Sequence, residues 1–309
     1  MTAPPEKPLL RSLQDFVYWR GRHYFKKLQQ FLPDRVFIAQ RFEEAFGYEL
    51  DLSAPRTFNE KMQWLKLYDR RPIHKVCADK YAVLDFITER WGAEYLIPTY
   101  AVLTSADEID EASLPDTPFV IRPTHDQGST IVIKDKQEKD WTDVRRRMRR
   151  SMRTNAYRQK REWQYDGLTP RILIQKALLD KNGDPLAEPK FCCFNGKVQA
   201  IIVDHDLYGD CTRTFYDRRW RPYEAEWGTT FRAGTAREEP PQLEQMIALS
   251  EKVAADFDFV RVDFYLHEDQ IYFGEITFHP GSGFSAFNPP EMDREWGEML
   301  KLTNLSRRA

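Results

Sequence analysis

The stretch RVDFYLHEDQIYFGEITFHPGSGF, residues 261 to 284, constrains the fold more than any other part of the chain. Two apolar runs flank a polar turn, the pattern of a β-hairpin, so each run must bury at least one face in a sheet. Yet Asp263 and Glu275 stand where an ordinary core hairpin carries further apolar side chains. That points them into a cleft and away from the apolar layer, and register decides whether they meet. A four-residue connection over 267–270 pairs Asp263 with Gly274 and sends Glu275 to the opposite face, whereas a three- or five-residue connection places both acids on one face. The odd-length connection is the expectation here. Two carboxylates sharing a face repel unless a cation neutralises them. Hard oxygen donors of this kind suit Mg²⁺, which binds through one or two carboxylates plus substrate phosphates. Thr277, two residues beyond Glu275, shares its face and adds a neutral oxygen. A pair of solvated acids on an exposed face is the plain alternative, and the spacing does not separate the two.

Around this hairpin the pattern is that of an α+β protein. After Gly92 the runs YLIPTYAVL, PFVIRPT, TIVIKD, RILIQKALL, KFCCFNGKVQAIIVD and RTFYD read as strands, with Asn195-Gly196 a two-residue hairpin turn. Helices are expected over 140–163 and 241–256. Before Gly92 the chain reads as helical. TFNEKMQWLKLYD opens with a capping box, Thr57 and Glu60, and lines up Phe58, Met62 and Leu65 on one face. PIHKVCADKYAVLDFITERWG runs from Pro72 to Gly92 as one helix with Lys80 in its middle. Residues 12–32 read as a basic amphipathic helix, suited to its own domain's core or to an anionic membrane surface. The sum is antiparallel hairpins with helices laid against them.

Composition removes several classes. The chain of 309 residues carries 46 basic and 48 acidic side chains, a net charge of -2, which gives no footprint for nucleic acid. The N-terminus lacks the features of a signal peptide and no apolar run approaches about 18 residues, so a cytoplasmic chain is expected. Cys77, Cys192, Cys193 and Cys211 show no zinc-type spacing and read as small buried apolar residues, the adjacent pair pointing to opposite faces of a strand. In FVIRPTHDQGSTIVIKD a strand ends at Arg122-Pro123 and a polar loop with Gly128 and Ser129 follows. Such a loop offers backbone N–H groups to phosphate, with a cation from the strand to hold it; an ordinary hairpin loop is the alternative, and no P-loop pattern occurs. Nine basic residues fall between Arg145 and Arg161, suited to an anionic partner or to a solvated helix face.

Taken in order, TFNEKMQWLKLYD, ADKYAV, YLIP, FVIRPTH, PRILIQKALLD, KFCCFNGKV, FVRVDFYL and IYFGEITFHPGSGF resemble the ATP-grasp superfamily. Within it they are similar to the amidoligase-like branch named for teichuronopeptide biosynthesis (TupA-like), over 56–302. The resemblance implies a helical region over 1–95, an ATP-grasp domain over 96–302 with lobes about 96–177 and 178–302 clasping a nucleotide, and a tail over 303–309. It implies ATP and Mg²⁺ as cofactors, with Asp263 and Glu275 as metal ligands and Thr277 where the wider superfamily has a metal-binding Asn. Arg261 is similar to the arginine that steadies the transferred phosphoryl group, and Lys80 to a phosphate-binding lysine. Arg122 stands where a second lysine is common. The loop from His125 through Gly128 to Ser129 resembles the phosphate cover. Gln175, Lys176, Ala177 and Leu178 match the adenine hinge, with Asp180 a candidate for ribose. Arg122 presents a planar fork in place of an ammonium, Gln175 replaces an acid, and the loop is poor in glycine. The implied activity is a carboxylate–amine ligase working through an acyl phosphate in bacterial surface-polysaccharide biosynthesis. Its partners would be an acidic substrate, such as a uronic-acid polymer or peptide, and an amine, with the 12–32 helix a candidate for peripheral membrane contact. A saccharide phosphotransferase would use the same residues, and a non-catalytic binding protein would keep the cleft for structure alone. His279 reads as a structural hydrogen-bonding residue.

Overall fold

The computed structural model describes residues 31–126, 128–205 and 211–303. The helix expected over 12–32 lies almost wholly outside them, as does the tail after residue 303. Helix α1 (Asp34–Phe46) is followed by α2 (Phe58–Tyr68), whose capping box is present: Thr57 Oγ1 accepts from the Glu60 amide and Glu60 accepts from the Thr57 amide at 2.9 Å.

The single helix expected over 72–92 is two, α3 (Pro72–Ala78) and α4 (Ala82–Trp91). Asp79 Oδ1 accepts from the amides of Tyr81 and Ala82 at the start of the second helix, while the Lys80 amide donates to the Thr124 carbonyl at 2.9 Å. Lys80 therefore stands at a helix break and not in mid-helix, tied to the loop that follows Arg122. The helix expected over 140–163 also divides. α5 (Trp141–Ser151) is capped by Asp140, and the short α6 (Ala156–Lys160) is capped by Asn155 and stopped by Arg161 in the left-handed region, φ 59°.

Two antiparallel sheets carry the architecture. The smaller contains β1 (Thr99–Leu103), β2 (Phe119–Pro123), β3 (Ile131–Ile133) and β4 (Ile172–Lys176) in the order β1-β4-β2-β3, packed on Val144 and Met148 of α5. The larger is built on β5 (Glu188–Phe194), β6 (Lys197–His205), β7 (Thr212–Asp217), β11 (Phe259–His267) and β12 (Gln270–Thr277) in the order β7-β6-β5-β11-β12. Short β10 (Arg232–Ala233) lies parallel to β7, and β8 (Pro222–Tyr223) also pairs β7. A ribbon of β9 (Glu226–Trp227) and β13 (Phe287–Asn288) lies outside both sheets. The Asn195-Gly196 turn is present with φ 47° and 83°, the left-handed pair that matches strand twist.

The large sheet is covered on both faces. One face takes α4 and α7 (Leu243–Ala254) against Phe191, Cys193, Ile201, Val260, Val262 and Phe264; the other takes α2 and α8 (Glu291–Met299) against Cys192, Phe194, Ala200, Ile202, Phe215 and Phe259. Cys192 and Cys193 thus face opposite cores as expected, and only Cys211 departs from the buried reading, being half-buried. No described helix is long and apolar enough to cross a membrane.

The connection between β11 and β12 corrects the sequence reading. It is a two-residue turn, Glu268-Asp269, with His267 opposite Gln270 and φ of 51° and 64° at the turn residues. This even connection alone would pair Asp263 with Gly274. A β-bulge at Gly274 restores the register instead, so that Asp263 lies opposite Glu275. A Cβ at 274 would sit 2.8 Å from the Asp263 carbonyl oxygen, which is why the bulge falls on glycine. The core-facing residues change parity there: Ile271 and Phe273 before it, Ile276 and Phe278 after it.

Candidate active site

One face of the large sheet changes character along its strands. At one end Phe194, Phe259 and Phe215 are apolar core; further along, at positions of the same parity, the strands carry charge. Arg261 Nε and Nη2 donate to the two oxygens of Asp263 at 2.7 and 2.6 Å, and Nη2 also reaches Glu275 Oε1 at 3.1 Å. Thr277 Oγ1 donates to the same Glu275 oxygen at 3.2 Å. On the next strand Lys190 Nζ lies 3.2 Å from Asp263 Oδ2, contacts Glu188, and is 3.7 Å from Asp204 Oδ2. Arg213 completes the row, holding Asp204 at 2.5 and 2.8 Å. Burial by itself would raise the Asp263 carboxyl, but the adjoining Arg261 and Lys190 cations outweigh it and hold it below the usual carboxylate range. Burial would likewise lower Lys190, and the surrounding acids hold it above its ordinary value.

Glu188, Lys190, Asp204 and Arg213 were not singled out by sequence reasoning. Their signal is parity: in EPKFCCF, Glu188 and Lys190 alternate in step with Cys192 and Phe194. It becomes readable only once the strand partners are known.

Between the two sheets runs a cleft. One part, with about 690 Å³ of empty space, is lined by Ile97, Val120, Val132, Ala177, Leu178 and Leu186, with Gln175, Lys176, Glu188 and Tyr265 at its edges. The adjoining part shares Arg122 and Gln175 and adds Lys80 and Glu275. The structure therefore brings Lys80, Arg122, Gln175, Lys176, Ala177, Leu178 and Glu275 together. Gln175 is buried and fixes Arg122, accepting from Nη2 at 2.6 Å while its own amide nitrogen donates to Thr99 Oγ1. The neutral amide thus orients Arg122 by a hydrogen bond and, unlike an acid, leaves its charge unneutralised. Arg122 Nε is buried without a hydrogen-bond partner among the described residues, an unspent donor in the cleft wall. Lys80 Nζ donates to the Asp126 carbonyl at 2.5 Å, and burial lowers its ammonium from the ordinary value. The amides of Lys176 and Ala177 are spent on the carbonyls of Pro98 and Pro118, so the hinge is pinned to the strand ends beside it.

Other expected positions stand apart. His125, the first residue of the loop, is buried, neither ring nitrogen in a well-formed hydrogen bond among the described residues. Gly128 is exposed, with φ 85° and open space around an added Cβ, and Ser129 is half-buried beside it. Asp180 is taken up in a turn, accepting from the amides of Asn182 and Asp184 at 2.8 Å. In the basic run, Arg145, Arg146 and Arg149 are paired with Glu111, Asp143 and Asp107, which favours the solvated-face reading for those three.

A buried polar knot behind the site was also missed. Lys66 of α2 donates to the Ser282 carbonyl at 2.8 Å and lies 4.1 Å from the Phe284 ring centroid, and Gln63 donates to the Gly283 carbonyl at 2.5 Å. Ser282, at φ 56°, gives its hydroxyl hydrogen to buried Glu162. Burial pushes the Lys66 ammonium down to about 7 and raises the Glu162 carboxyl. The loop after Thr277 is thus clamped onto α2. His279 is buried here with Nδ1 3.2 Å from Gln164 Nε2, in keeping with a structural role.

The donor types suit Mg²⁺: Glu275 opens to the cleft, while Asp263 is buried with both oxygens held by Arg261 and Lys190. Among the described residues no three His, Cys, Asp or Glu side chains form a metal cluster. A metal at Asp263 and Glu275 would rest on two carboxylates, the Thr277 hydroxyl and phosphate oxygens, which is its usual manner of binding. Arg261 Nη2 already lies between the two carboxylates, so the place is built for positive charge.

The chain matches the model of the TupA-like ATPgrasp family over residues 60–301. Among solved structures it is similar to the D-alanine–D-alanine ligase of Bacillus anthracis, with 18% identity, 72% of this chain and 63% of that chain covered, and a TM-score of 0.42. It is also similar to the L-amino acid ligase of Bacillus licheniformis, with 13% identity, 82% and 57% coverage and a TM-score of 0.45. The D-alanine–D-alanine ligase of Helicobacter pylori gives 15%, 83%, 68% and 0.42. The chain spans less than two thirds of the length of the first two ligases. Among curated proteins no sequence matches.

Proposed function

The chain belongs to the TupA-like ATP-grasp family, and from that premise we propose that it is a Mg²⁺- and ATP-dependent carboxylate–amine ligase. The observation that carries this reading is the Gly274 bulge, which sets Asp263 opposite Glu275 beside a cleft lined by Lys80 and Arg122. The apolar cleft wall at Ala177 and Leu178 suits an adenine ring, and the two cations beyond it suit phosphates. Asp263, Glu275 and Thr277 would hold Mg²⁺, which supplies charge neutralisation at the phosphate oxygens.

In this reading the substrate carboxylate attacks the γ-phosphorus of ATP. The bond to the bridging oxygen breaks, and ADP and an acyl phosphate result. An amine then adds to the acyl carbon, phosphate leaves with the bonding pair, and the amine's proton passes to solvent, leaving an amide. Arg261 steadies the moving phosphoryl group, while Lys80 and Arg122 hold the remaining phosphates, so the protein acts by positioning and charge stabilisation. The acid is read as a uronic-acid polymer or acidic peptide of the bacterial surface. Hydroxylamine supplied with ATP and such an acid should give an acyl hydroxamate. A stable phosphorylated sugar formed without any amine would instead favour phosphotransfer, and unchanged biological activity in Glu275→Gln would favour a non-catalytic role.

A further inference from the structure

We propose that the acid substrate lies in the open groove on the Arg261 side of the charged row, and that Arg213 binds a second anionic group on it. The substrate is then an acid carrying at least two negative groups. This rests on the ligase reading and names the class of molecule its acid site takes.

The groove opens to solvent over about 1340 Å³ and is lined by Arg213, Arg261, Thr229, Thr230 and Phe231 among others, with one acid, Glu226, which accepts from Asn288 Nδ2 at 2.9 Å. Its lining shares no residue with the cleft of Lys80, Arg122 and Glu275. Glu275 faces the cleft and Arg261 faces the groove, so the Arg261–Asp263–Glu275 cluster stands between the two spaces. A nucleotide on one side and a carboxylate on the other would meet across it.

Arg213 and Arg261 are built alike. Each spends Nε and Nη2 on an aspartate of the sheet, Asp204 for one and Asp263 for the other, and Lys190 lies within reach of both aspartates. A guanidinium has five N–H donors in a rigid fork, so two bonds to an aspartate fix its plane and leave the Nη1 edge for a further anion. Arg213 is further held over the Phe231 ring, 3.9 Å from its centroid. It is a fixed fork at the wall of an open groove. A purely structural buried pair gains nothing from such an opening.

The spacing sets the ligand. β7 and β11 are separated by β6 and β5, three strand steps or ~14 Å between backbones. A single carboxylate does not span both arginines. A chain-like acid with negative groups several bonds apart does.

The test is calorimetric binding of triglutamate and of neutral triglutamine, each in the presence of Mg²⁺ and the non-hydrolysable analogue AMP-PNP. The wild type should bind triglutamate at least tenfold more tightly than triglutamine. Arg213→Gln should remove that preference while AMP-PNP affinity stays unchanged. Because Arg213 pairs with a buried aspartate, Thr230→Glu is measured as well: Thr230 is exposed, so the fold is kept and the added charge repels the anion. Equal binding of the two peptides by the wild type, or a preference kept by Thr230→Glu, overturns the proposal. Loss of AMP-PNP binding by the wild type would strike the nucleotide reading alone, since the peptide comparison stands without it.

Discussion

A side chain at position 274 would bring its Cβ to 2.8 Å from the carbonyl oxygen of Asp263, and the bulge that this glycine permits is what turns Glu275 and Thr277 onto the face of Asp263. Gly274→Ala should therefore cost about 1–3 kcal/mol in urea unfolding, as overpacking does, and weaken Mg²⁺–ATP binding with it. The two acids should respond differently to neutralisation. Asp263 is buried between Arg261 and Lys190, so Asp263→Asn leaves two buried cations short of a partner and should cost about 3–5 kcal/mol. The Glu275 side chain is 41% exposed, so Glu275→Gln should change stability by less than about 1 kcal/mol and act on binding alone. Both acids stood out because charge interrupts an apolar hairpin, but only Glu275 lines the cleft, while Asp263 is buried beside it between Arg261 and Lys190. The way they meet was misread: parity at the turn is even, and only the switch from Ile271 and Phe273 to Ile276 and Phe278 betrays the bulge.

Helix α2 is the element that seats the site. Phe58, fully buried, meets the rings of Phe194, Trp227, Phe259, Phe287 and Trp296 edge-on or tilted, and so joins the helix to the apolar end of the charged face. Phe58→Ala should cost about 3–5 kcal/mol by chemical denaturation. The start of this helix was readable because a capping box is local, Thr57 and Glu60 lying three residues apart. The break at Lys80 was not, because the bond that draws the Lys80 amide out of helical register comes from Thr124, 44 residues along the chain from position 80. The α5 break, by contrast, left a local sign in Asn155, a good cap placed inside the expected helix.

At the scale of the molecule, two antiparallel sheets with a cleft between them follow from runs whose lengths and turns were visible in the sequence. The charged row across β7, β6, β5 and β11 was not, because it belongs to pairings between distant segments. The interior also sets a pH dependence. Burial holds the imidazole of His279 well below its ordinary value, with the nearby Lys66 cation adding to the effect, and burial lowers His125 in the same direction. The unfolded chain takes up these protons below about pH 6.5 and the native state does not, so stability rises with pH through that window and is lost as pH falls. Each histidine should contribute up to about 1.4 kcal/mol per unit to that slope between pH 7 and pH 5, the raised Glu162 carboxyl opposing it, and His279→Asn should lower the slope of urea midpoint against pH relative to the wild type. The most direct test of the central claim is titration of Mg²⁺–ATP into the wild type and Glu275→Gln by calorimetry. One-site binding by the wild type, weakened about tenfold or more in a variant whose unfolding midpoint is unchanged, is the predicted result. No binding by the wild type, or equal affinity in the two proteins, would contradict a metal–nucleotide site at the Asp263–Glu275 pair.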